Sequence, residues 1–246
     1  MRKIGIIVEA RMGSTRLLGK VMKKINNEPI LHFMHQRLRL IKNVDKIIIA
    51  TTRSKKDNII NDFCKSFNMH CFRGSENDVM LRVIKCAEHY NLDDIVEITG
   101  DDPLVDPYLS SKVISKYIKY HKYNTICSND FYNQLPLGFY TRVFSLRTLK
   151  KIYKKSNYFN KENVESYFYQ NPSEFDFIHL HKYSQYSKYK DIRLTLDTSE
   201  DFKLIKKIIT NFNYKYDFNL DEIVKFLNKN PRLKKINQNV KQNEIK

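Results

Sequence analysis

Cysteine is scarce in this sequence and forms no motif. Cys64, Cys71, Cys86 and Cys127 are scattered, and none belongs to a Cys-x-x-Cys pair. Neither a zinc site nor a disulfide framework is therefore expected, and a reducing cytoplasm is the expected compartment. No apolar run approaches the roughly 20 residues that a membrane helix needs. Met1-Arg2-Lys3 runs directly into Ile4-Gly5-Ile6-Ile7-Val8, a stretch too short for a secretory h-region and with no small-residue cleavage site behind it. No internal repeat is visible. No serine or cysteine has a readable base partner, so covalent hydrolysis is not expected. His32 and His35 can share a helix face, but further zinc ligands are missing nearby. Acidic residues are in deficit: 27 Asp and Glu stand against 44 Lys and Arg, a formal charge of +17. The lysines are spread over helix faces and the C-terminal segment and are not gathered beside aromatics. That pattern reads as diffuse surface charge, so neither nucleic acid nor membrane is expected as the partner.

What the sequence does contain is an alternation of short apolar runs and amphipathic stretches. Ile4 to Glu9, Lys46 to Thr51, Met69 to Phe72, Asp94 to Thr99 and Thr125 to Ser128 read as buried strands. Between them, helical periodicity is predicted from Pro29 through Ile41, Asp57 to Phe67, Asp78 to Tyr90, and Tyr108 to Tyr120. This order predicts an α/β fold, a mostly parallel sheet with helices on both faces. The second half is less regular. Leu135 to Phe144 looks extended, Ser145 to Lys155 and Lys161 to Tyr169 look helical, and Phe177 to Tyr183 and Ile192 to Leu196 look like strands. Thr198 or Ser199 can cap a helix through Phe202, Ile205 and Ile209, and Asp221 to Asn228 forms a last one. One nucleotide-handling domain over 1–229 is expected, with a dimerisation or acceptor segment around 130–185. Residues 230–246, poor in apolar content, are expected to form a mobile basic tail.

The most informative segment follows the first strand: Ala10-Arg11-Met12-Gly13-Ser14-Thr15-Arg16-Leu17-Leu18-Gly19-Lys20. In an open parallel sheet, ligands bind at the carboxyl ends of the strands, where this loop falls. Gly13 and Gly19 permit close backbone approach and unusual dihedrals. Ser14 and Thr15 supply hydroxyls and N–H groups, and Arg11, Arg16 and Lys20 supply three positive charges, a set that suits a polyphosphate. It is not a P-loop. Five residues separate the two glycines, and Val21 stands where a P-loop needs Ser or Thr for magnesium. The metal must be held elsewhere. Asp101, in Thr99-Gly100-Asp101-Asp102-Pro103, and Asp197, in Leu194-Thr195-Leu196-Asp197, both follow apolar strands. One carboxylate from each can hold Mg²⁺, which prefers oxygen ligands. Glu200 and Asp201 read as ordinary first-turn acids.

These segments, together with Arg73-Gly74-Ser75-Glu76-Asn77-Asp78, Ser128-Asn129 and Arg193-Leu194-Thr195-Leu196-Asp197, resemble the cytidylyltransferase family of the spore coat polysaccharide biosynthesis protein F type. That family is related to enzymes that make CMP-activated acidic sugars. The resemblance runs from the start to about Asn228. It implies a nucleotide-diphospho-sugar transferase fold of the GT-A type and a homodimer. It implies that Arg11 and Lys20 contact a triphosphate and that Asp101 and Asp197 bind the metal, these four forming the catalytic set. The loop, through Ala10, Gly13, Ser14 and Arg16, would lie near base and ribose, and Arg73, Ser75 and Asp78 would help form the nucleotide or acceptor pocket. The implied reaction transfers CMP from CTP to a small anionic acceptor such as an acid sugar, for surface polysaccharide. Leu18 departs from the usual proline and Glu9 from the usual glutamine. Tyr140 and Arg142 stand where acidic residues are usual, in a segment expected to face the acceptor. Two rival functions remain: a glycosyltransferase of similar fold, whose Asp-x-Asp spacing Asp101-Asp102 lacks, and a basic nucleic-acid-binding or regulatory protein that retains the fold.

Overall fold

The computed structural model describes residues 2–122, 124–129, 135–180 and 189–242. Its frame is a seven-stranded sheet in the order β5-β4-β1-β6-β8-β7-β9. The strands are β1 (Ile4–Glu9), β4 (Lys46–Thr52), β5 (His70–Gly74), β6 (Asp94–Thr99), β7 (Thr125–Ser128), β8 (Arg142–Ser145) and β9 (Asp176–His179), while β2 (Lys24–Ile25) and β3 (Glu28–Pro29) form a separate small hairpin. β1 pairs in parallel with β4 and β6, and β4 with β5. β8 runs antiparallel to both neighbours, and β9 is parallel to β7. The predicted mostly parallel sheet is therefore present, with one reversed strand inside it.

Alternation along β1 explains the two layers. Ile6 and Val8 point into a core with Leu31, Met34 and Leu38 of α1 (Ile30–Leu38), Ile60 of α2 (Asn58–Ser66) and Val113 of α4 (Pro107–Tyr120). Ile7 faces the other way, into a core with Val83 of α3 (Val79–His89), Leu149 of α5 (Leu146–Tyr153) and Phe168 of α7 (Val164–Gln170). A third cluster packs α8 (Ser199–Asn211) and α9 (Leu220–Lys229) against Phe33, Leu104 and Leu135. Arg37 fastens that cluster to the sheet edge. It is fully buried, donates to the carbonyls of Leu104, Val105, Tyr216 and Phe218, and lies 4.2 Å over the Phe218 ring. Burial pushes its pKa down to about 10, which leaves it charged at neutral pH.

Two expectations change, and a third falls partly outside the described residues. The helix predicted over Lys161 to Tyr169 is two pieces, α6 (Tyr158–Glu162) and α7, because Asn163 between them leaves helical geometry at φ −124° and ψ 88°. Ile192 to Leu196 forms no named strand. It makes one isolated bridge, Arg193 to Leu137, and Leu196 N donates to Asp101 O in the loop after β6. The strand predicted to Tyr183 is described only as far as Leu180, since 181–188 lie outside the described residues. The C-terminal segment also does more than its composition announced. Leu233 and Ile236 pack on the third cluster, and Asn237 is 3% exposed. Among the described residues, no helix is long and apolar enough to cross a membrane.

Candidate active site

The sheet order reverses between β1 and β6: the chain steps from β1 outward to β4 and β5, then returns to the other side of β1 as β6. Loops leaving the carboxyl ends of these two strands diverge there and open a crevice, the usual ligand position in such sheets. Gly100 brings the two ends together. Its N–H donates to Glu9 O at 2.9 Å, and a Cβ on it would lie 2.6 Å from that oxygen. The cleft above has a volume of about 630 Å³.

The first loop forms one wall. Met12 N donates to Asp57 Oδ1 at 2.7 Å, and Gly19 N closes back on Met12 O at 3.2 Å. Gly19 takes φ 62°, in the left-handed region that favours glycine, and a Cβ there would meet the end of the Met12 side chain at 2.7 Å. Gly13 differs from the expectation: it needs no positive φ, and a Cβ would meet open space. Ala10, Arg11, Gly13, Ser14, Thr15, Arg16 and Lys20 all line the cleft.

The two acidic stations meet this wall at Lys20. Its Nζ donates to Asp101 Oδ2 at 2.7 Å and to Asp197 Oδ1 at 2.9 Å. Burial works against the ammonium charge, but the two carboxylates outweigh it and hold the pKa above its ordinary value. Burial likewise works to raise Asp197, yet Lys20, Arg16 and Arg193 together hold it below the usual carboxylate range. Arg16 Nη2 lies 3.1 Å from Asp197 Oδ2, and Arg193 Nη2 also bonds that oxygen. Asp102 also lines the cleft but is buried, accepts from Thr99 Oγ1 at 2.8 Å, and is pushed up to about 7 by burial and by Asp101.

Asp197 is set by groups that local reading did not single out. Asp201, fully buried, accepts from Arg193 Nε at 3.0 Å and from the N–H groups of Asp197 and Thr198 at 3.0 Å. It is more than a first-turn acid. Asn237 Nδ2 donates to Arg193 O at 2.9 Å and to Asp201 Oδ1 at 2.8 Å. Gln242 bonds Arg193 and lines the cleft. Leu196 N and Thr195 Oγ1 both donate to Asp101 O, at 2.7 and 3.0 Å, and so tie the two acidic stations to each other. The contacts to Asn237 and Gln242 cross long sequence separations, which local pattern does not report.

Arg73, Ser75 and Asp78 do not line the cleft. Arg73 donates to Thr52 O, Ser54 O and Asn58 Oδ1, each at 2.8 Å. Asp78 caps α3 through Leu81 N and accepts from Tyr153 OH at 2.8 Å, while Ser75 Oγ accepts from Asp78 N at 3.1 Å. These residues shape the approach to α3 and present no group to the cleft. The far wall carries Tyr140, Arg142, Phe159, Glu162 and Glu165. Arg142 Nη1 is 3.4 Å from Glu97 Oε2, and its Nε donates to Tyr169 OH at 3.3 Å.

As a donor set, Asp101 and Asp197 offer one oxygen each toward a single cationic point, which the Lys20 ammonium holds. Two carboxylates beside a polyphosphate loop fit a hard divalent cation, whose shell is completed by phosphate oxygens and water. No third His, Cys, Asp or Glu converges there among the described residues. The arrangement can neutralise a triphosphate from one side and present a metal-binding edge from the other.

Comparison with known proteins agrees with this geometry. The cytidylyltransferase family profile matches residues 5–241. An uncharacterized protein of Methanocaldococcus jannaschii is 38% identical over 243 residues, covering 98% of this chain and 97% of its own. The spore coat polysaccharide biosynthesis protein SpsF of Bacillus subtilis is 30% identical over 239 residues, covering 94% and 96%. The solved structure of a cytidylyltransferase from Leptospira borgpetersenii superposes with a TM-score of 0.89 at 30% identity, over 99% of this chain and 100% of that one. The family profile over nearly the whole length, together with these relatives, establishes that this chain, with its switch-point cleft and basic wall, belongs to the cytidylyltransferase family and is a nucleotidyltransferase.

Proposed function

We propose that the protein transfers CMP from CTP to an acid sugar or related anionic acceptor and releases pyrophosphate, in surface polysaccharide biosynthesis. The observation that carries the reading is the convergence of Lys20, Asp101 and Asp197 at the mouth of the cleft. The family's relation to enzymes that make CMP-activated acidic sugars supports the acceptor class. An acceptor oxygen forms a bond to the α-phosphorus, the bond to the β-bridging oxygen breaks, and the acceptor proton passes to solvent. No protein nucleophile is needed, and rate comes from positioning and charge neutralisation.

Ser14, Arg16 and Lys20 bind the triphosphate, and Lys20 leaves its carboxylates to offset charge on the departing pyrophosphate. Arg11, half-exposed at the rim and 3.9 Å from Glu162, closes on the same group. Asp101 and Asp197 would hold Mg²⁺, which would supply charge neutralisation on the nucleotide's phosphates. Arg193, Asp201 and Asn237 keep Asp197 in place. Tyr140 and Arg142 face the acceptor, where the guanidinium suits a carboxylate. The protein works as a cytoplasmic homodimer in this reading, which a mass measurement in solution tests. The direct test of the chemistry is pyrophosphate release from CTP with candidate acid sugars. Asp101→Asn and Asp197→Asn, folded as judged by circular dichroism, should each lose turnover by about 10²-fold or more. Full activity in either variant removes the metal assignment.

A further inference from the structure

The far side of the cleft, across from the basic loop, is richer in carboxylates than in cations. Glu9, Glu162 and Glu165 line it, with Arg82 and Arg142 beside them. Glu162 lies 3.9 Å from Arg11 at the rim. Glu165, half-buried on α7, has no hydrogen bond or ion pair among the described residues. Glu9 closes β1, and its Oε1 is buried without a partner. Both cations are engaged within the wall itself. Arg142 Nη1 donates to Glu97 Oε2 at 3.4 Å, and its Nε donates to Tyr169 OH, one turn after Glu165 on α7. Arg82, 2% exposed, donates through Nη1 to Ser75 O at 2.5 Å, while its Nε is buried without a partner.

Charge narrows what this wall can take. Glu9, Glu97 and Glu165 stand against Arg82 and Arg142, three negative groups to two positive, which leaves one negative charge uncovered. Burial pushes the Glu9 carboxyl up to about 7; Arg82 and Arg142 oppose that shift, and the charges of Glu165 and Asp101 add to it. Two carboxylates that repel each other across a cleft, with no cation bonded to either, favour a positive group between them. Glu9 also stands where glutamine is usual, so this chain carries a charge there that the resemblance does not call for. A purely anionic acceptor brings its carboxylate to Arg142 and leaves Glu9 and Glu165 without a partner. An acceptor that also carries an ammonium group supplies one, and an oxygen next to that nitrogen can take the open N–H of Arg82.

We infer that Glu9 and Glu165 form an ammonium subsite, so that the acceptor is an acid sugar bearing a free amine. Its carboxylate meets Arg142, and its amine meets the two carboxylates across the cleft. The inference rests on the nucleotidyl-transfer reading above and names the acceptor class for it.

The test is pyrophosphate release from CTP by the full chain with a panel of keto-deoxy acid sugars. Each sugar is offered in matched forms, with a hydroxyl, a free amine or an N-acetylamine at the same carbon, taken in turn along the chain. At one of these carbons the free-amine form should exceed the hydroxyl form in kcat/KM by about tenfold or more, as one charged hydrogen bond gives, and the uncharged N-acetylamine should lose that advantage. Glu9→Gln and Glu165→Gln keep the shape and remove the charge. Each should bring the amine:hydroxyl ratio to within a few-fold of one, chiefly through the KM of the amine form. Thermal unfolding checks that the variants are folded, and Glu165→Gln, at a half-buried position, carries the test if Glu9→Gln does not fold. Equal kcat/KM for amine and hydroxyl forms in the wild type overturns the ammonium subsite and leaves the transferase reading standing. A wild-type preference for the amine that survives in both variants also overturns it, because the recognition then lies elsewhere. No pyrophosphate from any form overturns the transferase reading and the inference with it.

Discussion

Lys20→Met should convert the two acidic stations into a metal site that no longer waits for nucleotide. In the folded protein one ammonium serves Asp101 and Asp197 together, at 2.7 and 2.9 Å. Removing it leaves two carboxylates facing each other. Two like charges about 5 Å apart at an effective dielectric of 20 repel by about 3 kcal/mol. Asp101 is 28% exposed, and Asp197 keeps Arg16 and Arg193, so the net loss should be about 1–2 kcal/mol. Mg²⁺ can then enter the emptied point. At a hundredfold excess over its Kd it would return about 2.7 kcal/mol, read as a Tm rise of about 5–10 °C for a domain of this size. The assay is thermal unfolding with Mg²⁺ and with chelator, in both proteins, without CTP. Wild type should respond weakly, because its own ammonium holds the point. Equal Mg²⁺ responses in the two proteins, or none in the variant, would refute the assignment of Asp101 and Asp197 to one cation point.

Arg37→Met should cost about 3–5 kcal/mol in urea unfolding, since it strands several buried carbonyls at once. A loss under 1 kcal/mol would mean that those carbonyls find water. Asn237→Ala should cost about 1–2 kcal/mol of stability and raise the Mg²⁺ concentration needed for half-maximal turnover. Turnover falling uniformly at all Mg²⁺ concentrations would disconnect the segment from Asp197. Arg142→Glu should shift acceptor preference away from carboxylate-bearing sugars, and unchanged relative kcat/KM values would drop that role.

β1, β4, β5 and β6 were legible because each holds a short apolar run next to helical periodicity, whereas the small β2–β3 hairpin was not, because its strands are two residues each. The loop from Ala10 to Lys20 was legible because its charges and its Gly19 turn are local. Asp101 and Asp197 were legible for the same reason, as acids that end apolar runs. Less was readable where contacts are distant or backbone geometry is irregular. Ile192 to Leu196 carries strand-like residues, yet its hydrogen bonds go to Asp101 O and Leu137. Arg73 and Asp78 looked like pocket residues from their motif, but their polar groups are satisfied within the β5–α3 approach. Glu9 and Arg82 are separated by more than 70 positions, and only folding shows that an open donor stands near an open acceptor.

Asn237 gives the site an order of completion during synthesis. Every group placed on CTP or metal emerges from the ribosome before it, and domains generally fold from the N-terminal side as they appear. The sheet and the Lys20 wall can form while the chain is still growing. Asp201 and Arg193, however, wait 36 and 44 residues for the amide that fixes them. A chain stopped short of that position would carry all of its chemistry-bearing side chains and still hold Asp197 loosely, so a nascent or clipped protein should bind nucleotide before it can turn it over.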